Sequence, residues 1–370
     1  KKSQAIGLNG LAGVLHQQVK LDEAGNTLRL QIEIAQFVDD KRSIGKSLNR
    51  LAGVLQQQGK LEEAAKTFQR KLEIAQSLND ERQQAIAFNG LVSVLQQQGK
   101  LKEAADVLQC RVKISHSIDD TRSIVIRLTK IASTLQQQGK LEQAADIFQN
   151  QIEIAQSIND KRWIGSGLNG LARVLQQQGK LEEAVKAFIQ LIEIAQSIDN
   201  KRKQAIALNG LASVFIQQEK FEEAANVFRI KIEIAQSIDD KHSIAIGLKD
   251  LAFVLQELNL FEEAINTFEQ SGEIYDQLGE AAQKTYVQKN IGEVLHQQGL
   301  WFMNEANRSD EAEEILRHSQ SIFEDLDEKR SLSMVLNSLG VLFKRQQRWK
   351  EAEMVLRRSF DLSEKIGDEM

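Results

Sequence analysis

Apolar side chains recur along this chain at the spacing of amphipathic helices. The first stripe consists of Leu48, Leu51, Ala52 and Leu55, at i, i+3, i+4 and i+7, so a helix carries them on one face. A second apolar stripe follows Gly59 and consists of Leu61, Ala64, Phe68, Leu72 and Ile74. The pattern predicts two helices joined by a short turn, which we name helix A and helix B of one repeat.

The segment VLQQQGKLEEA at residues 54–64 forms the corner of this predicted hairpin. Gly59 is expected to end helix A in a left-handed conformation, which costs little for a residue without a Cβ atom. Glu62 and Glu63 fall in the first turn of helix B, where the helix dipole favours negative charge. Asp80 follows helix B and is expected to cap the next helix A, so one hairpin leads directly into the next.

The hairpin recurs along the whole chain with a period of 40 residues. The same segment returns unchanged at 174–184, with close variants at 94–104 and 134–144. Its last alanine marks nine repeats, interrupted by an insertion near 301–308: Ala24, Ala64, Ala104, Ala144, Ala184, Ala224, Ala264, Ala312 and Ala352. One hairpin cannot bury its apolar stripe alone, whereas stacked hairpins can. The sequence therefore predicts an all-α, right-handed α-solenoid, a superhelix of about nine helical hairpins.

The repeats divide into a regular and a divergent part. Residues 1–287 keep near-regular 40-residue repeats, whereas residues 288–370 diverge and contain the insertion, which is expected to lengthen helix A of the eighth repeat. One helix B position changes from mostly long side chains to serine in the last three repeats, at Ser271, Ser319 and Ser359. The chain has no proline, which fits helices throughout because proline interrupts helix interiors. We therefore expect a single array over residues 1–370.

This spacing resembles the tetratricopeptide repeat. The matching positions in one repeat are Leu48, Leu51, Ala52, Leu55, Gly59, Leu61, Ala64 and Phe68. Two features depart from the usual pattern: the proline at the repeat end is missing, and the period is longer than the usual ~34 residues. The longer form resembles the repeats of kinesin light chains, of Leu-Gly-Asn-repeat polarity adaptors and of tetratricopeptide arms in bacterial signal-transduction NTPases. It also resembles bacterial regulators that sense signalling peptides, and near-identical repeats favour a bacterial array.

The resemblance implies that the A helices line a concave groove in which a peptide lies, with Asn side chains on its backbone. We name one mostly Asn position of successive A helices the asparagine row: Asn9, Asn49, Asn89, Asn169 and Asn209. Asn290 alone stands at the family's usual Asn position, one residue later. Small residues beside the row are expected to leave room for the ligand, at Gly90, Gly170 and Gly210. Glutamines extend the polar face, at Gln56, Gln96, Gln136 and Gln176.

Three cations and a tryptophan complete the predicted site. Arg50, Lys130 and Arg173 add positive charge to a neutral face, so we expect a protein or peptide ligand and favour an acidic one. Trp163 is expected at the exposed rim of the groove, because Trp and Arg together often carry binding energy. Packing of Trp163 on a neighbouring loop is the alternative, and the convex side, the loop edge or no specific groove are alternatives for the whole site. Two other tryptophans are expected to pack in the core, Trp301 and Trp349.

Other kinds of chemistry find little support. The net charge of −5 provides no basic footprint for nucleic acid. The GKS triplet at 45–47 lacks the preceding glycine and strand of a phosphate loop. Cys110 has no evident base partner, and the histidines fall in different repeats: His16, His116, His242, His296 and His318. We therefore expect no catalytic residue, metal site or cofactor. The single cysteine fits the cytoplasm, and no apolar run is long enough to span a membrane.

These observations favour a non-catalytic protein-protein interaction scaffold or sensor arm that binds a peptide or protein segment in the groove. The alternative is a bacterial signalling-peptide sensor or regulator whose superhelix changes pitch on binding. An enzyme is a third hypothesis, and it lacks a catalytic constellation. The sequence does not begin with Met, which fits a longer chain with an effector or NTPase module.

Overall fold

A computed structural model describes the chain over residues 2–115, 117–305 and 308–368, without the side chains of residues 2–6, 9 and 368. The chain divides into two compact units, Lys1–Glu183 (unit 1) and Ala184–Met370 (unit 2). In both units the described residues form α-helices and short turns, with no strand. The odd-numbered helices are the A helices of successive repeats, and the even-numbered helices are the B helices.

The helices of unit 1 are α1 (Lys2–Gln17), α2 (Leu21–Phe37), α3 (Lys41–Gln57), α4 (Leu61–Ser77), α5 (Glu81–Gln97), α6 (Leu101–Val112), α7 (Ile118–Gln137), α8 (Leu141–Ser157) and α9 (Lys161–Gln177). The unit boundary falls within α10 (Leu181–Ser197). The helices that follow in unit 2 are α11 (Lys201–Gln217), α12 (Phe221–Gln236), α13 (Lys241–Glu257), α14 (Phe261–Gln277), α15 (Ala281–Met303), α16 (Ser309–Asp325), α17 (Lys329–Arg345) and α18 (Trp349–Asp368).

Consecutive helices pack against each other within each unit, and their apolar stripes form the core. In the second repeat, Leu48 and Leu55 of α3 are buried together with Phe68 of α4. Each such side chain contributes about 1.5–3 kcal/mol when it is fully buried. Ala64 has no exposed surface, and its small side chain lets α3 and α4 approach closely. The arrangement confirms the all-α solenoid of helical hairpins that the sequence predicts.

The turns of several repeats follow the expected chemistry. Gly59 has a φ angle of 73°, so it ends helix A in the left-handed region as predicted. Asp80 accepts a hydrogen bond from the backbone N–H of Gln83 at 3.0 Å, which confirms it as the cap of α5. Val19 and Glu219 occupy the turn position of Gly59 with φ angles of 61° and 57°. Side chains with a Cβ atom are strained there, so these two turns are less favourable than those with glycine.

The junction between the third and fourth repeats departs from the others. Helix α6 ends at Val112, and α7 starts at Ile118, one residue after Ser117. The guanidinium of Arg111 is buried and forms an ion pair with Asp120, which stands at the position that caps helix A elsewhere. A buried cation requires a partner of opposite charge. Because Asp120 pairs with Arg111, it does not cap α7. Ser117 caps this helix instead, since its hydroxyl oxygen accepts a hydrogen bond from the backbone N–H of Asp120 at 3.0 Å.

The insertion lengthens helix A of the eighth repeat, as expected, although residues 306 and 307 lie outside the described part. Helix α15 has 23 residues, compared with 17 in α13. Trp349 is 62% exposed, which contradicts its predicted packing in the core, whereas Trp301 is 43% exposed and its ring lies against those of Phe261 and Phe302. Trp301 lies in the last turn of the lengthened helix, beside Phe302, and Trp349 is the first residue of α18. Both tryptophans therefore stand at helix ends, where solvent reaches them.

Candidate functional site

The asparagine row lies where the A helices meet the B helices and solvent. Asn49, Asn89 and Asn169 are half-buried in unit 1, and Asn209 is exposed in unit 2. The side chain of Asn9 lies outside the described residues. The row is therefore partly accessible in both units, and what its side chains offer to a ligand depends on their partners within the protein.

Those partners come from a second row, which sequence analysis did not identify as buried. In eight of the nine repeats helix B buries a polar side chain at one recurring position, where the fifth repeat has Leu191. We name these side chains the buried polar row: Gln31, Lys71, Arg111, Gln151, Lys231, Ser271, Ser319 and Ser359. Lysine and arginine are rarely buried without a partner. The available signal was the recurrence of polar residues every 40 positions inside a largely apolar helix face.

Buried lysines bind the oxygen atoms of two members of the asparagine row. Lys71 Nζ donates to Asn49 Oδ1 at 2.7 Å, and Lys231 Nζ donates to Asn209 Oδ1 at 2.6 Å. Lys231 also pairs with Asp250 of the next repeat at 3.1 Å. An ammonium group has only donors, so the amide oxygen must face it and the amide NH₂ group faces away. The buried polar row thus fixes the orientation of these two asparagines.

Lys71 is the less compensated of the two lysines. Among the described residues its only hydrogen-bond acceptor is Asn49, and Gly90 stands where Asp250 pairs with Lys231. Burial lowers the pKa of Lys71 from 10.5 to about 8, and the negative charge of Asp80 opposes this shift only in part. The Lys71 ammonium therefore holds Asn49 in place at a cost in stability at neutral pH.

The third and fourth repeats have related hydrogen bonds with other partners. Arg127 donates to Asn89 Oδ1 at 3.1 Å, so the amide oxygen of Asn89 is also bound within the protein. Thr129 replaces Asn in the fourth repeat, and its hydroxyl lies within hydrogen-bond distance of two acceptors, the carbonyl oxygen of Val125 at 2.9 Å and Oε1 of the buried Gln151 at 3.0 Å. The partners thus engage the oxygen of Asn89 and the hydroxyl hydrogen of Thr129, while the NH₂ group of Asn89 is left to donate elsewhere.

The three predicted cations lie on the surface. Arg50, Lys130 and Arg173 are exposed on the A helices α3, α7 and α9 of unit 1. Arg50 stands beside Asn49, whose oxygen is bound by Lys71, whereas Lys130 follows Thr129 and Arg173 lies one turn after Asn169. This face of unit 1 consequently offers hydrogen-bond donors and positive charge together, a combination that suits carboxylate or carbonyl groups.

Two expectations about the same face need correction. The space beside Gly90, Gly170 and Gly210 is not free for a ligand, because an aromatic ring of the preceding B helix fills it. A Cβ atom at Gly90 would lie 2.2 Å from Phe68 Cε1, and Phe148 and Phe188 stand in the same way against the other two glycines. These glycines therefore serve close helix packing between adjacent repeats.

The glutamines bond from one repeat to the next. Gln56 donates to Ser93 at 3.0 Å, and Gln136 donates to Gln177 at 3.0 Å. In unit 2, Gln256 donates to Gln297 at 2.7 Å. These hydrogen bonds join neighbouring A helices, so this part of the polar face has a structural use.

Trp163 and Asn290 are less accessible than the sequence suggested. Trp163 is half-buried and packs against the core of unit 1, whereas the predicted alternatives were an exposed rim position and packing on a neighbouring loop. Asn290 is buried, and its amide donates to the carbonyl of Tyr286 in its own helix at 2.6 Å. This bond within α15 occupies the amide group of Asn290.

The described part of the chain contains no cluster of side chains of the kind that holds a metal ion. No group of three or more His, Cys, Asp or Glu side chains comes close enough there to hold a metal ion. Cys110 is exposed, and His116 lies outside the described residues. None of the described helices combines the length and the apolar character that a membrane crossing requires.

Sequence models of known families match much of the chain. A MalT-like TPR region matches residues 76–230, and two tetratricopeptide-repeat models match residues 47–82 and 203–277. No curated protein matches the chain in sequence. The matched segments lie in the regular repeats, where the hairpin corner is most alike from repeat to repeat.

Solved structures with a similar fold share little sequence identity with this protein. BtubC from P. vanneervenii is 18% identical with a TM-score of 0.42, over 61% of this chain and 92% of that one. A signal transduction ATPase with a tetratricopeptide repeat sensor, PH0952 from Pyrococcus horikoshii, is 13% identical with a TM-score of 0.48, and the match spans this whole chain but 54% of the ATPase. A putative kinesin light chain from Podosopora anserina is 19% identical with a TM-score of 0.39, over 54% and 94% of the two chains.

The repeat models and the helical hairpins agree on the family. Proteins built from these repeats are typically non-catalytic, and the fold supports a general role in protein-protein interaction. The repeat pattern, the packed hairpins and the matched models together identify the chain as a tetratricopeptide-repeat protein.

Proposed function

We propose that the A-helix face of unit 1 binds an extended, acidic segment of a partner protein. The observation that carries the proposal is the bond from Lys71 to the oxygen of Asn49, with its counterpart from Arg127 to Asn89. Both bonds leave the amide NH₂ groups as donors, so a ligand has to supply acceptors. Peptide carbonyls and carboxylates are the acceptors that a protein segment offers.

Charge on the same face supports an acidic segment. Lys130 and Arg173 are exposed on α7 and α9, and no carboxylate of the described residues forms an ion pair with either of them. Positive charge beside hydrogen-bond donors attracts a negatively charged partner and speeds its association, an effect that salt reduces. The partner segment is thus expected to be rich in Asp and Glu and to bind more weakly at high salt.

The proposal is tested by changing the donors and keeping the internal bonds. In the double variant Asn49→Asp and Asn89→Asp, each carboxylate still accepts from Lys71 or Arg127, so the fold should keep its stability. The outward donors are replaced by acceptors that repel an acidic ligand. Dodecamer peptides selected from a random library against the wild-type chain serve as ligands, and their affinity is measured by fluorescence anisotropy at low and high salt.

We expect selected peptides enriched in Asp and Glu, and an affinity loss of about tenfold or more in the double variant, since each lost hydrogen bond contributes about 0.5–1.5 kcal/mol. Asn159→Asp is the matched control, because it makes the same change at a turn where Asp39 and Asp199 stand in other repeats. Equal binding by the double variant and the control, or peptides without acidic enrichment, would place the binding surface elsewhere.

The second candidate is a sensor whose repeats shift relative to one another on binding a signalling peptide. The hydrogen bonds from Gln56 to Ser93 and from Gln136 to Gln177 favour it, since they join neighbouring A helices and would rearrange with the pitch. Small-angle scattering with and without a selected peptide distinguishes the two candidates. An unchanged scattering curve at saturation supports the scaffold and contradicts the sensor.

A further inference from the structure

A cavity of about 570 Å³ opens among α14, α15 and α16 in unit 2. Its floor is apolar and consists of Gly272, Val287, Ile291, Ile322 and Leu326. The cavity is partly open to solvent. The three helices therefore leave unfilled a space that could take a whole side chain of a partner.

Departures from the chain's own repeat pattern create this cavity. At the position of Gly272, the six earlier repeats carry Ile32, Leu72, Val112, Ile152, Ile192 and Ile232. At the position of Gln288, repeats two to seven carry Leu48, Phe88, Leu128, Leu168, Leu208 and Leu248. Val287 is larger than Gly247 at the equivalent position, so it refills part of the space. The apolar side chains missing at positions 272 and 288 leave more space than Val287 fills, and this space is the cavity.

The rim of the cavity carries an excess of negative charge. Glu269, Glu273 and Asp325 line it, and in the described part of the chain none of them has a hydrogen bond or an ion pair. Asp276 also lines it and is neutralised by Lys284 at 2.7 Å. The exposed imidazole of His318 completes the polar lining. Three carboxylates without an internal partner thus surround an apolar floor.

We propose that this cavity binds an arginine side chain from a basic segment of a partner protein. The planar guanidinium group donates two parallel hydrogen bonds to a carboxylate, and its aliphatic stem can pack on apolar surface. Lysine offers a single point charge and matches paired carboxylates less well. The surface is independent of the proposed acidic-ligand site, because it lies in unit 2 and has the opposite charge.

The sharpest test fills the cavity with the residues that other repeats carry there. In the double variant Gly272→Leu and Gln288→Leu, the new Cβ atom at position 272 lies 3.5 Å from Val287 Cγ1, which is an ordinary contact. The variant should be more heat-stable than the wild type, because leucine adds apolar contacts and glycine is unfavourable within helices. Loss of binding in a more stable protein cannot result from misfolding.

The probe is the peptide acetyl-Ala-Arg-Ala-amide, titrated into the full chain by NMR, beside the same peptide with neutral citrulline. We expect the arginine peptide to bind about tenfold more tightly than the citrulline peptide, because charged hydrogen bonds are the stronger ones. The filled variant should bind neither peptide. Glu273→Gln should weaken arginine binding severalfold, whereas Glu233→Gln, the same change at the equivalent position of α12, should leave it unchanged.

Three results would overturn the proposal. Wild-type affinity in the filled variant would show that the peptide binds outside the cavity. Equal affinity for the arginine and citrulline peptides would remove the role of charge. Tighter binding of spermidine than of the arginine peptide would identify a small polyamine, and not a protein segment, as the occupant.

Discussion

Replacement of Lys71 by leucine should stabilise the second and third repeats at neutral pH. Lys71 is 1% exposed, and burial lowers its pKa from 10.5 to about 8. Each pKa unit corresponds to 1.36 kcal/mol, so the charged ammonium costs about 3 kcal/mol relative to the unfolded chain. Leu191 occupies the same position in the fifth repeat and is also buried, so the repeat accepts leucine there.

The stability gained by Lys71→Leu should depend on pH, and the lowered pKa of Lys71 determines whether the gain grows or shrinks as the pH rises. Below pH 8, Lys71 is charged in both the folded and the unfolded chain, and the full cost of its burial is present. As the pH rises from 8 towards 10.5, the folded chain releases the proton first, so the wild type becomes more stable. Between pH 7 and pH 9.5 the advantage of Lys71→Leu should shrink by about 2 kcal/mol.

Native-state hydrogen exchange of α3, α4 and α5 measures this effect, because a repeat array opens locally and global melting averages over all repeats. Lys66→Leu on the same helix is the matched control, since Lys66 is exposed and its replacement should show no pH-dependent gain. A Lys71→Leu protein that is less protected than the wild type at pH 7, by an amount that stays constant to pH 9.5, would refute the reasoning.

Two further substitutions test the packing and the turns. Gly90→Ala should destabilise unit 1 by about 1–3 kcal/mol, because its Cβ atom meets the Phe68 ring at 2.2 Å. At Gly53 a Cβ atom would meet nothing within 4 Å, so Gly53→Ala should stabilise unit 1 by about 0.5–1 kcal/mol. Urea unfolding measures both variants, and a change of the same sign in the free energy of unfolding for both would contradict this account. Glu219→Gly should raise the melting temperature by relieving about 1 kcal/mol of left-handed strain, whereas Gly179→Ala, at a φ angle of 75°, should lower it. A fall after Glu219→Gly would mean that its side chain contributes more than the strain costs.

The sequence fixes the local structure because its rules act over a few residues. A helix stripe needs apolar side chains three and four positions apart, and a left-handed turn needs a residue such as Gly59. The repetition of these signals also predicts stacking, since an amphipathic hairpin must bury its stripe. The A and B helices, the caps and the longer α15 could therefore be predicted without coordinates.

Tertiary packing decides what the surface offers to a ligand. Asn49 can donate or accept by its chemistry alone, and only the buried ammonium of Lys71, 22 residues away, turns its donors outward. The sequence leaves open whether Trp163 is exposed at a rim or packed on a loop, and the structure shows it half-buried against the core of unit 1. The sequence shows that Gly272 and Gln288 depart from the repeat pattern, but the cavity itself forms only where three helices meet. Hydrogen-bond orientation and unfilled space arise between elements, so they become defined only when the helices pack.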